Sequence, residues 1–400
     1  MKVLIINSGS SSIKYQLMLM PTAQVICQGI VERIGSQEAV FVYKTDNDEI
    51  TKIMPVMNHK EGLEKIAKLL VDPKIGVIKN AGEIDAVGHR VVHGGNSFSK
   101  PTIINQTVKD KIKELAALAP LHNPHNLEGI VLAEKFFKNA KQIVVFDTSF
   151  HHTIPTKASK YAIPNKFFDE HGIQVYGFHG ISHKYVSEKA IAYLHKKESK
   201  IISIHLGNGC SMTAVHNGKS VDHSLGFTPS NGLIMGTRSG DVDHAIIFYL
   251  VDTLGYKLDE VKTLLTRESG MMGLTGYGDL RDIQEEAEKG DKNCLLALEM
   301  NAYRIKKYIG AYAAAMNGLD AVLFTAGIGE NSNKLRDLVC TNMEFLGLEL
   351  DAELNDLRNP EIREINTPTS PVKILVVPTN EELEIAKEAY KILTFSLKEH

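Results

Sequence analysis

The chain has 400 residues, 43% of them hydrophobic and 23% charged, with a formal net charge of -3. That is globular composition, with length enough for two or three domains. No basic surplus argues for nucleic acid or an anionic membrane surface as the main partner. Cys27, Cys210, Cys294 and Cys340 are far apart and form no C-x-x-C pair. They therefore imply neither a zinc site nor a disulfide framework, and free thiols in a reducing cytoplasm are the plain reading. The apolar run at residues 3–6 is too short for a signal peptide, and no run approaches the ~20 residues of a membrane span.

From the N-terminus, a short apolar run at 3–6, a Gly/Ser turn and an alternating segment at 13–20 predict a strand, a tight turn and an antiparallel strand. Further strands are expected at 25–31 and 39–43. Helices are expected at 61–71, at 108–119, stopped by Pro120, and at 127–137. The apolar runs at 84–88 and 143–146 read as buried parallel strands. The segment 150–172, with Pro155, Pro164 and Gly172, serves as a crossover. The same grammar then restarts. Residues 200–205 predict a strand, Leu206-Gly207-Asn208-Gly209 a turn and 211–215 a returning strand, so an internal duplication is expected. Helices follow at 242–254, 258–265, 295–316 and 333–345, with strands at 321–324 and 373–377 and a last helix at about 381–394. Alternating strands and helices mean an α/β protein with mixed sheets.

Several motifs carry chemistry. Asn7-Ser8-Gly9-Ser10-Ser11-Ser12-Ile13-Lys14 offers backbone N–H groups, hydroxyls and one ammonium to anionic oxygens, although Gly and Ser are also the default residues of an exposed hairpin. Leu206-Gly207-Asn208-Gly209 lets a phosphate approach the backbone, although Asn-Gly is equally a plain hairpin signal. Two such turns, each after a buried strand, could clamp one polyphosphate. Thr325-Ala326-Gly327-Ile328-Gly329-Glu330-Asn331 stands between a strand and a helix, where open α/β sheets bind nucleotides. Gly218-Lys219-Ser220 ends like a P-loop, but Thr213 stands at the first required glycine, so a P-loop is not supported.

In Gly88-His89-Arg90-Val91-Val92-His93-Gly94-Gly95, Arg90 suits a carboxylate or phosphate. His89 and His93 lie too far apart on extended chain to share a metal, and at least one reads as structural. Asp147 closes a buried strand, as a functional carboxylate or a cap. His151 and His152, being adjacent, do not converge on one ion. His179 and Arg238 sit in Gly-bounded loops, and Asp279-Leu280-Arg281 completes the set. Glu381 opens the last helix, as an N-terminal carboxylate or a metal ligand.

Together these motifs resemble the acetate kinase family over residues 3 to about 386. V-L-I-I-N-S-G-S-S-S-I-K is similar to its first signature, with Ser8 where the family's usual residue is Ala, and G-H-R-V-V-H-G-G is similar to its second. H-L-G-N-G, G-F-H-G, G-T-R-S-G-D, D-L-R-D-I, A-G-I-G-E-N and N-E-E-L also look like family motifs. The resemblance implies two duplicated ribonuclease H-like (actin-like ATPase) domains with an interdomain cleft, of the sugar kinase, Hsp70 and actin superfamily. One domain would be 1–150 completed by 381–400, the other the nucleotide-binding 151–380. It implies a cytoplasmic homodimer that transfers the γ-phosphoryl group of ATP to acetate, giving acetyl phosphate and ADP, with Mg²⁺ or its substitute Mn²⁺.

By resemblance, Asn7 and Glu381 serve the metal, and Ser10, Ser12 and Lys14 lie near the phosphates. His205, Leu206, Gly207, Asn208 and Gly209 form the second phosphate loop. Asp279, Leu280 and Arg281 with Gly327, Ile328, Gly329, Glu330 and Asn331 hold the adenosine. Arg90 binds the acetate carboxylate, and Val92, Leu121, Phe178 and Pro229 surround its methyl. Asp147 is the assigned acid/base, and His179 and Arg238 stabilise the transition state. Acetate is already ionised at neutral pH, so no proton must leave the nucleophile. We therefore read Asp147 as orienting Arg90 or the metal shell.

Three rivals are set against this reading. A propionate or butyrate kinase keeps the chemistry. Val92 favours acetate, but one buried methylene is worth only ~1–3 kcal/mol, so propionate should be a slow substrate. A non-catalytic actin- or Hsp70-like switch has no need of Arg90, His179 and Arg238 together. A metallohydrolase built on the 16 histidines lacks an H-x-x-x-H helix or a His–Asp cluster.

Overall fold

The computed structural model describes residues 1–396, with side chains through 395, so 397–400 of the expected first domain lie outside the described residues. The chain divides into two compact units, one comprising Met1–Phe150 and the chain from Asn380, the other His151–Thr379. Among the described residues, no helix is long and apolar enough to cross a membrane.

The first unit contains β1 (Lys2–Ser8), β2 (Ser12–Leu19), β3 (Gln24–Glu32), β4 (Ser36–Thr45), β5 (Glu49–Val56), β6 (Ala86–Val91), β7 (Thr102–Ile103) and β8 (Lys141–Phe146), in the sheet order β5-β4-β3-β2-β1-β6-β8-β7. Val3, Leu4, Ile5 and Ile6 are buried because β1 is central and covered on both faces. Side chains alternate across a strand, so the two faces separate cleanly. Leu4 and Val87 join a core with Leu63 of the helix His59–Leu70 and Leu132 of the helix Asn123–Phe136. The opposite face carries Gly88, where a Cβ would come within 2.7 Å of Ile385 on the last helix, Glu381–Ser396. The missing side chain at Gly88 is therefore what lets that helix lie against the sheet.

The second unit repeats the plan with β9 (Lys200–Leu206), β10 (Cys210–His216), β11 (Lys219–His223), β12 (Ala321–Thr325), β13 (Arg363–Glu364) and β14 (Lys373–Val376), in the order β11-β10-β9-β12-β14-β13. The run β3-β2-β1-β6-β8 and the run β11-β10-β9-β12-β14 match in order and in strand sense, antiparallel, antiparallel, parallel, parallel. This is the duplicated, mixed-sheet α/β architecture that the strand–turn–strand pattern predicts.

The structure departs from the sequence-based elements in several places. The helix Gly180–Leu194 was not predicted. It is buried around most of its circumference by small and polar residues, Gly180, Ser182, His183, Ser187 and Ala190 among them, so it lacks the one-sided apolar stripe that announces a helix. The edge strand β5 is largely exposed and contains Pro55, which the period-2 reading misses. Residues 326–331, read as a turn, form the helix Ala326–Asn331. The helix expected at 333–345 ends at Cys340. Asn217 and Gly218, at φ 52° and 75°, make the tight turn of the β10–β11 hairpin, which is why Gly218-Lys219-Ser220 is not the end of a P-loop.

Candidate active site

In the first unit, candidate site residues gather at the carboxyl ends of β1, β6 and β8, where open sheets place their ligands. Arg90 on β6 and Asp147, just past β8, form a bidentate pair. Nε donates to Oδ1 at 2.9 Å and Nη2 to Oδ2 at 2.6 Å. Asp147 is 1% exposed. Burial pushes its carboxyl up and Glu381 adds to this, while the Arg90 guanidinium pulls it down. Both carboxyl oxygens accept from the fork, the arrangement of an ionised carboxylate. The carboxylates beside Arg90 hold its guanidinium protonated despite burial. Glu381 Oε2 lies 3.6 Å from Arg90 Nε, at the start of a helix whose Asn380 caps the N–H of Leu383. Two anions therefore fix one cation, and the guanidinium's other edge, Nη1 with the second proton of Nη2, can take a further carboxylate.

The turn between β1 and β2 pairs Ser8 with Ile13 and Asn7 with Lys14, and Gly9 N donates to Ser12 O at 2.8 Å. Ser10 and Ser11 are exposed at its tip and Ser12 is half-buried. Lys14 Nζ sits 2.5 Å from Glu382 Oε1, so the ammonium is held by a carboxylate. Val92 is buried whereas Leu121 is 51% exposed in this unit. Two asparagines that were not anticipated secure the loop after Arg90. Asn126 accepts from Val92 N at 3.2 Å and donates to Ser8 O at 2.7 Å, and Asn123 bonds both the N–H and the C=O of His93 at 3.0 Å. Their helix begins at Asn123, ahead of the expected 127, with Pro124 in its first turn. That Pro was the available signal. His89 is structural. It bonds Gln142 at 2.8 Å, and burial pushes it down to about 4, leaving it neutral at pH 7.

In the second unit, His179 adopts a left-handed backbone (φ 55°) at the head of the helix Gly180–Leu194, not in a simple solvated loop. A non-glycine residue in that conformation carries strain that its surroundings must hold. The restraint is visible on both sides. Phe178 N donates to His223 Nε2 at 3.0 Å, and His151 Nε2 donates to Phe178 O at 3.0 Å. A Cβ on Gly177 would collide with the His151 ring at 2.6 Å. His179 itself stacks on His205, centroids 4.3 Å apart, and its Nδ1 meets Ser211 Oγ at 2.9 Å. Ser211 Oγ also meets His183 Nε2 at 2.8 Å, and His183 Nδ1 meets Ser203 Oγ at 2.8 Å. Burial pushes His183 and His223 well below the usual imidazole range and His151 to about 3, so these supporting rings are neutral. A hydroxyl that accepts from one ring and donates to the other couples the proton positions of His179 and His183. Ser211 carries no local pattern, but His183 stands four residues after His179, an H-x-x-x-H spacing that the case against a metallohydrolase missed and that the structure places at the head of the helix Gly180–Leu194.

Gly209 completes this corner. A Cβ there would stand 3.0 Å from Arg238 Nη2 and 3.4 Å from the His179 ring. Gly207 and Gly209 close the β9–β10 hairpin through Gly207 N and Gly209 O at 3.1 Å, a loop of three residues between paired Leu206 and Cys210 rather than a two-residue Asn-Gly turn. Arg238 Nη1 donates to the carbonyl of Pro229, and burial lowers its pKa. Among the described residues no carboxylate is paired with it. Gly236 N donates to Asn208 O at 3.1 Å, so the two Gly-rich loops lean on each other.

Adjoining this corner is a pocket of about 900 Å³, of a size that suits a nucleotide. It is lined by the expected Gly207, Asn208, Asp279, Leu280, Arg281, Gly327, Ile328 and Asn331, and by Ile234, Met235, Met271 and Gln284, which the sequence did not single out. Asp279 caps the helix Leu280–Glu288, another element missed in the sequence, and Arg281 holds its carboxyl down to about 2. Gly329 and Glu330 turn their carbonyls to Arg336, and Glu330 Oε1 accepts from Thr379 N at 3.1 Å.

Residues 2–387 match the model of the acetokinase family. The acetate kinase of Flavobacterium johnsoniae is 62% identical over 98% of this chain and its own full length, and that of Thermotoga maritima 52% over 98% of this chain and 99% of its own. Among solved structures, Porphyromonas gingivalis acetate kinase superposes with a TM-score of 0.92 at 44% identity, and a propionate kinase from Francisella tularensis with 0.92 at 42%. Both alignments cover 98% of this chain and 99% of the relative.

Proposed function

The chain belongs to the acetokinase family and is a phosphotransferase with a carboxyl group as acceptor, and from that premise we propose that it moves the γ-phosphoryl group of ATP to acetate, and back from acetyl phosphate to ADP. The observation that carries this reading is the Arg90–Asp147 pair, a guanidinium fixed on one edge and able to clamp an acceptor carboxylate with the other. An acetate oxygen attacks the γ-phosphorus in line as the bond to the ADP oxygen breaks. Catalysis is then mainly a matter of positioning and of neutralising charge on the transferring oxygens.

Arg90 binds the acetate carboxylate and Asp147 holds Arg90 in place. Val92, Leu121, Phe178 and Pro229 limit the space for the methyl. His179, ordered by Ser211 and His205, and Arg238, with no neutralising carboxylate among the described residues, donate to the transferring phosphoryl oxygens. Asp279–Arg281 and Gly327–Asn331 hold the adenosine, and Ser10, Ser12, Lys14 and His205–Gly209 the phosphates. The family works with a nucleotide and a divalent metal. We assign Mg²⁺, replaceable by Mn²⁺, to Asn7 and Glu381, whose amide and carboxylate oxygens are the hard donors such an ion prefers, and it would supply charge neutralisation on the phosphates.

The test is ADP release with ATP and Mg²⁺ across a panel of carboxylates, trapping acyl phosphate with hydroxylamine. Acetyl hydroxamate should form fastest, with propionyl hydroxamate about tenfold or more slower if Val92 limits the pocket. ADP release without hydroxamate would overturn the assignment in favour of an ATPase switch, and faster use of propionate would move the acceptor.

A homodimer accords with the exposed apolar side chains of the helix Ala245–Asp252. Ile246, Phe248 and Tyr249 are 43%, 60% and 56% exposed, and Leu254 and Tyr256 follow them. Light scattering should give the mass of a dimer and Phe248→Glu should yield monomers. A monomeric parent protein would remove this reading.

A further inference from the structure

In the first unit, His59, His125 and Glu128 each present a ligand atom, all within 4.8 Å of one another. They arrive from two helices. His59 is the first residue of the helix His59–Leu70. His125 and Glu128, three apart near the start of the helix Asn123–Phe136, share one face. The His59 ring is 6% exposed and lies nearly parallel to His125, centroids 5.4 Å apart.

The tautomer of His59 follows from its partner on Nε2. Its Nε2 is 2.7 Å from the Gly9 carbonyl, which can only accept, so Nε2 carries the hydrogen. In the neutral ring, Nδ1 is then a lone pair. It faces Glu128 Oε2 at 3.8 Å, too far for a hydrogen bond. A buried ring nitrogen thus faces a carboxylate at the exposed rim, an arrangement that suits a cation bound between them. A metal-bound histidine characteristically donates its other N–H to a carbonyl or carboxylate, which fixes the tautomer and raises the basicity of the ligating nitrogen. The Gly9 carbonyl already occupies that place.

We propose that His59 Nδ1, His125 and Glu128 form a binding site for a divalent transition metal such as Zn²⁺. Two imidazoles and one carboxylate select such an ion over Mg²⁺, which prefers oxygen donors. Three protein ligands leave a fourth position, and the exposure of Glu128 opens it to solvent. The metal would join the two helices and, through His59, brace the Gly9–Ser12 turn. This site is separate from Asn7 and Glu381, and the inference does not depend on the assignment of acetate as substrate.

The experiment is titration of the chelator-treated, full-length protein with Co²⁺, whose visible absorption reports a low-symmetry site with nitrogen ligands, followed by displacement with Zn²⁺. A saturable spectrum is expected that Zn²⁺ abolishes and Mg²⁺ does not. His125→Ala and Glu128→Gln alter side chains at the helix surface and leave the core alone. Each should weaken Co²⁺ binding by at least about tenfold, the scale seen when even a supporting partner is lost. Absence of a saturable spectrum, or a spectrum unchanged in both variants, would overturn the site and leave a proton, in a His59–Glu128 ion pair, as the cation.

Discussion

Asp147→Asn is expected to lower kcat/KM for acetate by about two to three orders of magnitude while leaving the dependence on pH flat through the neutral range. The reason is mechanical. Arg90 is gripped through Nε and Nη2 by both oxygens of a carboxylate that is 1% exposed. An amide replaces one acceptor with an NH₂ group aimed at a guanidinium donor, and Glu381, 3.6 Å away on the Nε side, would draw the side chain toward itself. Removing one partner of such a buried pair costs ~3–5 kcal/mol, and each ~1.4 kcal/mol misplaced from the transition state is tenfold in rate.

Arg90→Lys, which keeps the charge but loses the fork, should cost about as much. The double variant Arg90→Lys/Asp147→Asn should be little worse than either single variant, since groups that act as a unit are not additive. Steady-state kinetics of the three variants between pH 5 and 9 separate positioning from proton transfer. If Asp147→Asn instead keeps its KM for acetate and erases one titrating limb of the profile, Asp147 is an acid/base and the positioning account fails.

The second large effect is expected far from the chemistry. Arg336 is only 2% exposed, and its guanidinium donates to backbone and amide oxygens. Nη1 donates to Gly329 O at 2.9 Å and Glu330 O at 3.0 Å, while Nε and Nη2 donate to Oδ1 and O of Asn355, each at 2.8 Å. Burial pushes it down to about 10, with Arg363 acting in the same direction, so it stays protonated at neutral pH. The carbonyls it faces end the helix Ala326–Asn331, the negative pole of the helix dipole, which suits a cation. Arg336→Ala leaves these acceptors buried without donors.

An unsatisfied buried polar group costs ~1–3 kcal/mol, so a loss of about 3–5 kcal/mol in the stability of the second unit is expected. Because Gly327, Ile328 and Asn331 line the pocket proposed for the nucleotide, Arg336→Lys, which can reach only part of the set, should fold but bind ATP more weakly. Denaturant unfolding with and without ATP checks both halves. An unchanged unfolding midpoint in Arg336→Ala would show that the loop holds itself.

Much of this protein was legible from local pattern alone. Buried central strands must be apolar nearly throughout, and a tight return between antiparallel strands needs Gly, Asn or Ser. The runs at 3–6 and 200–205, each followed by such a turn, therefore announced both hairpins and the duplication built on them. Gly207, Gly236 and Gly327, all in Gly-rich motifs, line the pocket proposed for the nucleotide, and Gly236 leaves room there for the Asn208 side chain, which a Cβ would crowd.

What the pattern left out are residues whose meaning lies in a partner. The helix Gly180–Leu194 escaped because it is enclosed, and an enclosed helix has no polar face to set its period. Asn123, Asn126, His183, Ser211 and Arg336 are ordinary letters until folding sets an oxygen or nitrogen opposite them. His59 and His125 stand 66 positions apart, and nothing near either one foretells the other. Their meeting with Glu128 was decided by the packing of two helices on one face of a sheet. Periodicity records how much water each side of an element meets. It does not record which distant side chain excludes that water, and only the tertiary structure makes that choice.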